Sequence, residues 1–337
     1  LNIKDVADLA GVSPATVSRF VNRPQSVALT TANKIKRVIE TTGYRIERKS
    51  QALELNKNPT IGVLIPSLLN PVFSEVVAGI QERARHFGYS TLVLDTQYDN
   101  EQEQQAAVDF IRQRVEGVIL TIANASDNAA LELLRSFKFP YCLLHNQSTE
   151  NEPCVYVDNY QAGKDVAKKV FEYGHTEIGM ITGHFASSDR AKKRYEGFKQ
   201  GLRESGVELS QLLEVDQNKL IPFTDSEMTL FNGDFAPTAW FCSNDLLALK
   251  TMNALRSIGR RIPQDVSVVG FDGMGLGQLV CPSLATVAIP HFDMGKMAVD
   301  ILFNAKVGSI AQREFSLKYE LQMKGSLGAV PVTTQFS

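Results

Sequence analysis

Apolar positions at the start of the chain recur at helical spacing. Ile3, Val6, Ala7 and Ala10 form one stripe, the pattern of a helix with a single buried face. Gly11 follows, a residue suited to the left-handed turn that closes a helix. Ser13 can cap a second helix, and Pro14 fits its first position, where a missing N–H is no loss. Val17 and Val21 carry the apolar face onward. Ile35, Val38 and Ile39 predict a third helix over Thr31–Thr42, closed by Gly43. Two short helices joined by a tight Gly-containing turn predict a helix-turn-helix head over residues 1–44.

From residue 60 the pattern changes. Short apolar runs apt for buried parallel strands (Thr60–Pro66, Thr91–Asp95, Val115–Leu120, Tyr141–Leu144) alternate with helical stripes over 73–87, 101–113 and 127–136. The alternation restarts: helix 160–173, strand Ile178–Ile181, helix 189–204, strand Ala239–Cys242, helix 245–258, strand Val266–Val269 and helix 291–305. Repeated βα units imply parallel sheets with right-handed crossovers. The expected fold class is α/β, with a small all-α head followed by a two-lobed body over 60–330 built on two parallel sheets. Residues 45–59 are polar and end in Pro59, which reads as a hinge or linker. Two similar lobes suggest a ligand cleft at the carboxyl ends of their strands.

Charge adds a partner to this picture. The 337-residue chain has a net charge of −2. Residues 1–58 hold ten Lys/Arg against five acids, a surplus of five positive charges that leaves −7 on the remainder. A basic head on an acidic body suits a polyanion at one end only. The four cysteines have no metal or redox spacing and read as reduced thiols of a cytoplasmic protein. The five histidines have no metal spacing either, so no metal and no cofactor is expected. No leader pattern and no apolar run long enough for a membrane span is seen.

The outer side of the second helix carries Pro14, Ala15, Thr16, Ser18, Arg19 and Asn22. Arginine can pair with guanine O6 and N7 in the major groove. Thr16, Ser18 and Asn22 suit phosphate contacts, and the capping Ser13 completes the DNA-binding candidates on this helix. A three-helix protein-interaction module is the plainer alternative. The run Asp5–Arg19, with Val21-Asn22 and Gly43-Tyr44, resembles the head of the LacI/GalR family of bacterial repressors. That resemblance implies a sequence-specific regulator that binds a palindromic operator as a homodimer. It places Pro14, Ala15 and Arg19 where the family reads bases. It also implies a hinge helix in which Leu53 wedges into the minor groove, a device that kinks DNA. The linker departs from the family pattern: Ile46 stands where a proline is common, and Glu47 and Glu54 add acids near phosphate.

The body carries the same resemblance in Asn70-Pro71-Val72-Phe73, Gly88-Tyr89, Val115-Glu116-Gly117, Gly174-His175, Arg194–Phe198 and Gly270-Phe271-Asp272. It implies a periplasmic-binding-protein fold with a small-molecule effector between the lobes. Phe73 would then stack on a ligand ring, and Arg194, Asn244 and Asp272 would hydrogen-bond its polar groups. Ser67, His145, Asn146, Asp189 and Arg190 are further candidates. Polar groups of this kind beside an aromatic suit a carbohydrate-type effector: a sugar, sugar acid, sugar phosphate or nucleoside.

Two stretches invite other readings. Residues 189–194 form a basic run that reads first as a solvated helix face, and as an anion contact only because it starts near the expected cleft. Gly270–Gly277 is glycine-rich, but extended sequence with Pro282 follows it, so a loop over the cleft is expected instead of a dinucleotide site. A transport or sensory binding protein and an α/β enzyme are the competing functions. The head argues against the first, and the second has no P-loop, no G-x-S-x-G and no H-E-x-x-H to support it.

Overall fold

The computed structural model describes residues 3–22, 24–42, 59–148, 150–216, 222–233, 236–307 and 313–331. The chain divides into two compact units, Leu1–Asn58 and Pro59–Ser337.

In the first unit, helices α1 (Ile3–Ala10), α2 (Pro14–Asn22) and α3 (Leu29–Thr42) surround a small core. Val6, Ala7, Ala10, Val17 and Ile35 are buried there, with Val12, Phe20, Val21, Val38 and Ile39 packed against them. Val6, Ala7, Ala10, Val17, Val21, Ile35, Val38 and Ile39 of the stripes that predicted the helices therefore lie on the faces that meet. Gly11 has a φ of 65°, and the Val12 N–H reaches back to the Ala7 carbonyl at 2.9 Å, which ends α1. Ser13 caps α2: its Oγ accepts from the Thr16 N–H at 3.2 Å. The third helix begins at Leu29, two residues earlier than its apolar stripe suggests. The hinge expected over 45–59 lies outside the described residues except for Pro59, and Leu53 is outside them.

The second unit holds two sheets. The strands of the first are β1 (Thr60–Ile65), β2 (Ser90–Asp95), β3 (Val118–Leu120), β4 (Tyr141–Leu144), β5 (Cys154–Tyr156) and β11 (Glu314–Ser316). They run parallel in the order β11-β5-β4-β3-β1-β2. Those of the second are β6 (Ile178–Gly183), β7 (Gln211–Val215), β8 (Ala239–Cys242) and β9 (Ser267–Val269), parallel in the order β7-β6-β8-β9. Antiparallel β10 (Thr286–Ala288) and β12 (Glu320–Gln322) form a separate ribbon. The α/β reading with two parallel sheets holds. β5, β7 and the three strands after residue 280 were not expected. β5 and β10–β12 have only three residues each, too few for a period to register, and β7 is an edge strand with an alternating half-buried pattern.

Helices α4 (Pro71–His86), α5 (Asn100–Arg112), α6 (Ala129–Ser136) and α11 (His291–Val307) belong to the first lobe. Helices α7 (Asn159–Glu172), α8 (Asp189–Glu204) and α10 (Asp245–Ser257) belong to the second, beside the one-turn α9 (Asp225–Met228). The chain crosses between lobes after β5, between β10 and α11, and between β11 and β12. Each lobe has one helix pair in backbone contact. A β-carbon at Gly79 of α4 would lie 2.1 Å from the Phe292 carbonyl oxygen of α11. One at Gly197 of α8 would lie 1.9 Å from that of Tyr160 on α7. Glycine is required at both because no side chain fits.

Candidate functional site

A narrow cavity of about 40 Å³ lies between the lobes of the second unit. Strand order explains its place. β1 has β2 on one side and β3 on the other, and β6 has β7 and β8. Chain segments leaving the carboxyl ends of such neighbours turn to opposite faces and leave a crevice. The two crevices face each other. Segments following β1, β2, β4, β6, β8 and β9 supply the lining: Phe73, Tyr98, His145, Arg190, Asn244 and Asp272 among others.

Three helix N-termini end at the cavity, and each is capped by a lining residue. Asn70 accepts from Val72 N on α4, Ser188 from Ala191 N on α8, and Asn244 from Leu247 N on α10. Helix N-termini favour electronegative ligand groups.

The charges come from the second lobe. α8 buries Arg190, Ala191, Arg194, Gly197, Phe198, Gly201 and Leu202, so two arginines sit at the cavity end of an otherwise packed face. The basic run at 189–194 is thus not simply a solvated face: Lys192 is exposed, but Arg190 and Arg194 are buried. Arg194 donates to Asn159 Oδ1 at 2.7 Å and to the Ser243 carbonyl at 2.5 Å. It also lies 3.5 Å from Asp272 and stacks 3.6 Å over the Phe271 ring. Burial lowers the Arg194 pKa to about 10, although Asp272 opposes the shift. Burial raises Asp272 to about 6, against the pull of Arg194 and Arg190.

The first lobe contributes neutral groups. His145 Nε2 lies 3.1 Å from His291 Nδ1, and His291 Nε2 lies 3.1 Å from the Asp272 carbonyl oxygen. A carbonyl only accepts, so His291 carries its proton on Nε2 and its Nδ1 accepts from His145. Burial holds both rings neutral, His291 down to about 3 and His145 well below its usual range, with the cavity arginines adding to it. This ordered chain ties the first lobe to the second. Phe73 meets the His145 ring edge-on at 6.1 Å. Tyr98 is half-buried beside Asn70, and desolvation of its hydroxyl raises the pKa to about 12.

Of the effector candidates, Phe73, His145, Arg190, Arg194, Asn244 and Asp272 line the cavity together. Ser67, Asn146 and Asp189 do not. Ser67 Oγ accepts from Leu69 N at 3.2 Å and shapes the turn after β1. Asn146 and Asp189 bond to one another across the lobes. The lining also includes Asn70, Tyr98, Ser188, Ser243 and His291, which were not singled out. The cap signals Asn70-Pro71 and Ser188-Asp189, each following a strand, could have marked two of them. Nothing in the sequence marks Tyr98. It has a φ of 60°, and His145 and Asp272 have 67° and 114°. Positive φ at non-glycine residues is uncommon and gathers at functional sites.

In the head, Ser13, Pro14, Ala15 and Arg19 are exposed, and Thr16 and Ser18 are half-buried. Thr16 Oγ1 lies 2.9 Å from Ser13 Oγ. Asn22 is the last residue of α2. Ala15, Arg19 and Asn22 fall at helical spacing on one side of it.

Comparison with known proteins decides the family. One family, described as "Bacterial regulatory proteins, lacI family", matches residues 2–46, and another, "Periplasmic binding proteins and sugar binding domain of LacI family", matches residues 58–315. The chain belongs to the LacI family. The HTH-type transcriptional repressor CytR of Escherichia coli strain K12 is 30% identical over 332 residues, covering 98% of this chain and 97% of its own. The HTH-type transcriptional repressor PurR of Vibrio vulnificus strain CMCP6 is 29% identical over 328 residues, 96% of this chain and 98% of its own. A solved structure of the lac repressor dimer bound to operator and the anti-inducer ONPF superposes with a TM-score of 0.73 at 26% identity, over 98% of this chain and 99% of that one. At family level this LacI-family member is a DNA-binding transcription regulator and not an enzyme. Among its described residues no helix is long and apolar enough to cross a membrane, and no cluster of metal-ligating side chains occurs.

Proposed function

We propose that this LacI-family regulator is an allosteric repressor whose operator affinity is set by a small carbohydrate-type effector bound between the lobes. The observation that carries the reading is the interlobe cavity, which receives three capped helix N-termini, a buried Arg194–Asp272 pair and the Phe73 ring. Such a site suits a compact ring rich in hydrogen-bond acceptors: a sugar, sugar acid, sugar phosphate or nucleoside. Phe73 stacks on it, while His145, Arg190, Arg194, Asn244 and Asp272 hold its polar edge.

The protein acts as a cytoplasmic homodimer on a palindrome, because one small head reads too few bases alone. Its domains are the head over 1–44, the hinge over 45–59 and the sensor over 60–330. Pro14, Ala15 and Arg19 face base edges. Ser13, Thr16, Ser18 and Asn22 meet phosphates, and Leu53 wedges the minor groove. Effector binding changes the lobe arrangement and hence the head spacing, a coupling of about 1–3 kcal/mol in such systems.

The test is selection of bound duplexes from a random DNA pool, followed by a screen of the four effector classes against the recovered site. A palindrome is expected. Arg19→Ala should lose about 1–3 kcal/mol and relax the preference at one base pair. Uniform weakening on all duplexes would make Arg19 a phosphate contact instead.

A further inference from the structure

The strongest polar cluster outside the cavity lies where α8 meets the first lobe. The Asp189 N–H donates to the Ala123 carbonyl at 2.8 Å. Its carboxylate accepts from Ala125 N at 3.2 Å and from Asn146 Nδ2 at 3.0 and 2.9 Å. Arg190, the next residue, donates to the Ile122 carbonyl at 2.6 Å. Lys193, a turn on, donates to Gln147 Oε1 at 2.9 Å. All these partners follow β3 or β4 in the first lobe, and all these α8 residues belong to the second.

The receiving segment is braced from behind. Glu103 of α5 is fully buried, accepting from Ala123 N at 2.8 Å and Asn128 Nδ2 at 2.5 Å. Asn146 is also fully buried and holds Ile122 through both its N–H and its carbonyl, at 3.0 and 2.9 Å. A segment gripped this way presents its remaining carbonyls and the Ala125 N–H in fixed directions. Asp189 itself is kept off the cavity wall. Its carboxylate accepts from Ala125 N and Asn146 Nδ2 of the opposite lobe and, on its own helix, from Arg190 Nη1 at 3.3 Å.

We infer that Asp189 is a positioning residue of the effector site: it latches α8 onto segment 121–125 and so closes the cleft, without touching the effector. The inference rests on reading the cleft as the effector site, but the closure it describes is made by the chain's own groups. A sensor whose closed form is already held by such bonds binds with less loss to the conformational equilibrium. It also places Arg190 and Arg194, one helical turn apart, against the cavity before a ligand arrives.

Residue-resolved amide hydrogen exchange on the full chain in plain buffer tests this, with no ligand needed, so its result is independent of the effector screen. Two neighbouring amides serve as reporter and control. Ala125 N bonds across the lobes to Asp189, whereas Ala123 N bonds within the first lobe to Glu103. The Ala125 amide should be protected in the unaltered chain. Asp189→Ala should speed its exchange about ten- to a hundredfold, the range for losing a hydrogen bond to a charged acceptor, with Ala123 unchanged. Asp189→Asn retains an acceptor oxygen and should restore most of the protection. Rapid Ala125 exchange in the unaltered chain, or no change in Asp189→Ala, would remove the latch. Equal acceleration at Ala123 and Ala125 would show that Asp189 merely supports the first lobe's loop, and would also overturn the inference.

Discussion

The two lobes of the sensor are built alike and equipped differently. Each has a parallel sheet with a switch point, and each seats its cleft-lining helix on a neighbour through a glycine, Gly79 on α4 and Gly197 on α8. At the cavity the likeness ends. The first lobe offers Phe73, Tyr98 and two neutral histidines, while the second offers Arg190, Arg194 and Asp272. Backbone geometry, which fixes where a crevice opens, is shared by the lobes. Side chains, which fix what the crevice recognises, are not. The arrangement keeps the neutral groups on one side of the cavity and the desolvated charges, which need each other, on the other.

The sharpest way to break this comparison is to remove the charge from the second lobe. Arg194→Ala leaves Asp272 buried without its partner and strips the cation from the Phe271 ring. A loss of about 3–5 kcal/mol is expected in urea unfolding, as for a buried pair deprived of one member. A loss near that of an exposed pair would mean that solvent reaches Asp272.

Next in size are the glycines. Gly79→Ala and Gly197→Ala each press a methyl group onto a backbone carbonyl of the paired helix. Each should cost about 3 kcal/mol, the upper part of the overpacking range. Equal losses would support the structural likeness of the lobes. A neutral result at one position would show that its helix pair is looser than the distance implies.

The smallest effect concerns the neutral side. His291 titrates near 3 in the fold against an ordinary value of 6.5. The unfolded chain therefore takes up the proton first. The stability this group contributes is fully present above about pH 6.5 and is lost as pH falls toward 3. Between pH 7 and pH 5 the loss is about 2 kcal/mol. His291→Gln, which cannot take a proton there, should flatten that limb in urea melts at the two pH values. An unchanged slope would assign the acid sensitivity to other groups.

Much of the fold was legible because it repeats. The head helices followed from their apolar stripes and from Gly11 and Ser13, and the main strands of both sheets from short buried runs. Family likeness in those stretches named the architecture. The short strands β5, β10, β11 and β12 and the edge strand β7 escaped, whereas β3 and β9, equally short, showed because each is a fully buried apolar run. The cavity was legible in part. Phe73, Arg194, Asn244 and Asp272 stand after strands, where open α/β sheets bind ligands. Tyr98 and His291 were not marked: one depends on a left-handed turn without glycine, the other on a helix that returns from the far end of the chain.

The sequence by itself determined the all-α head, the alternation that makes two parallel sheets, and the concentration of positive charge at one end. Periodicity and capping are local, and local rules are written in neighbouring residues. Only the tertiary structure decided that Ser67 serves a turn, that Asn146 and Asp189 bond to each other, and that His145 meets His291. Those outcomes depend on which groups compete for the same donors once water is excluded. Residues 43 and 146 positions apart in the chain settle that competition through space.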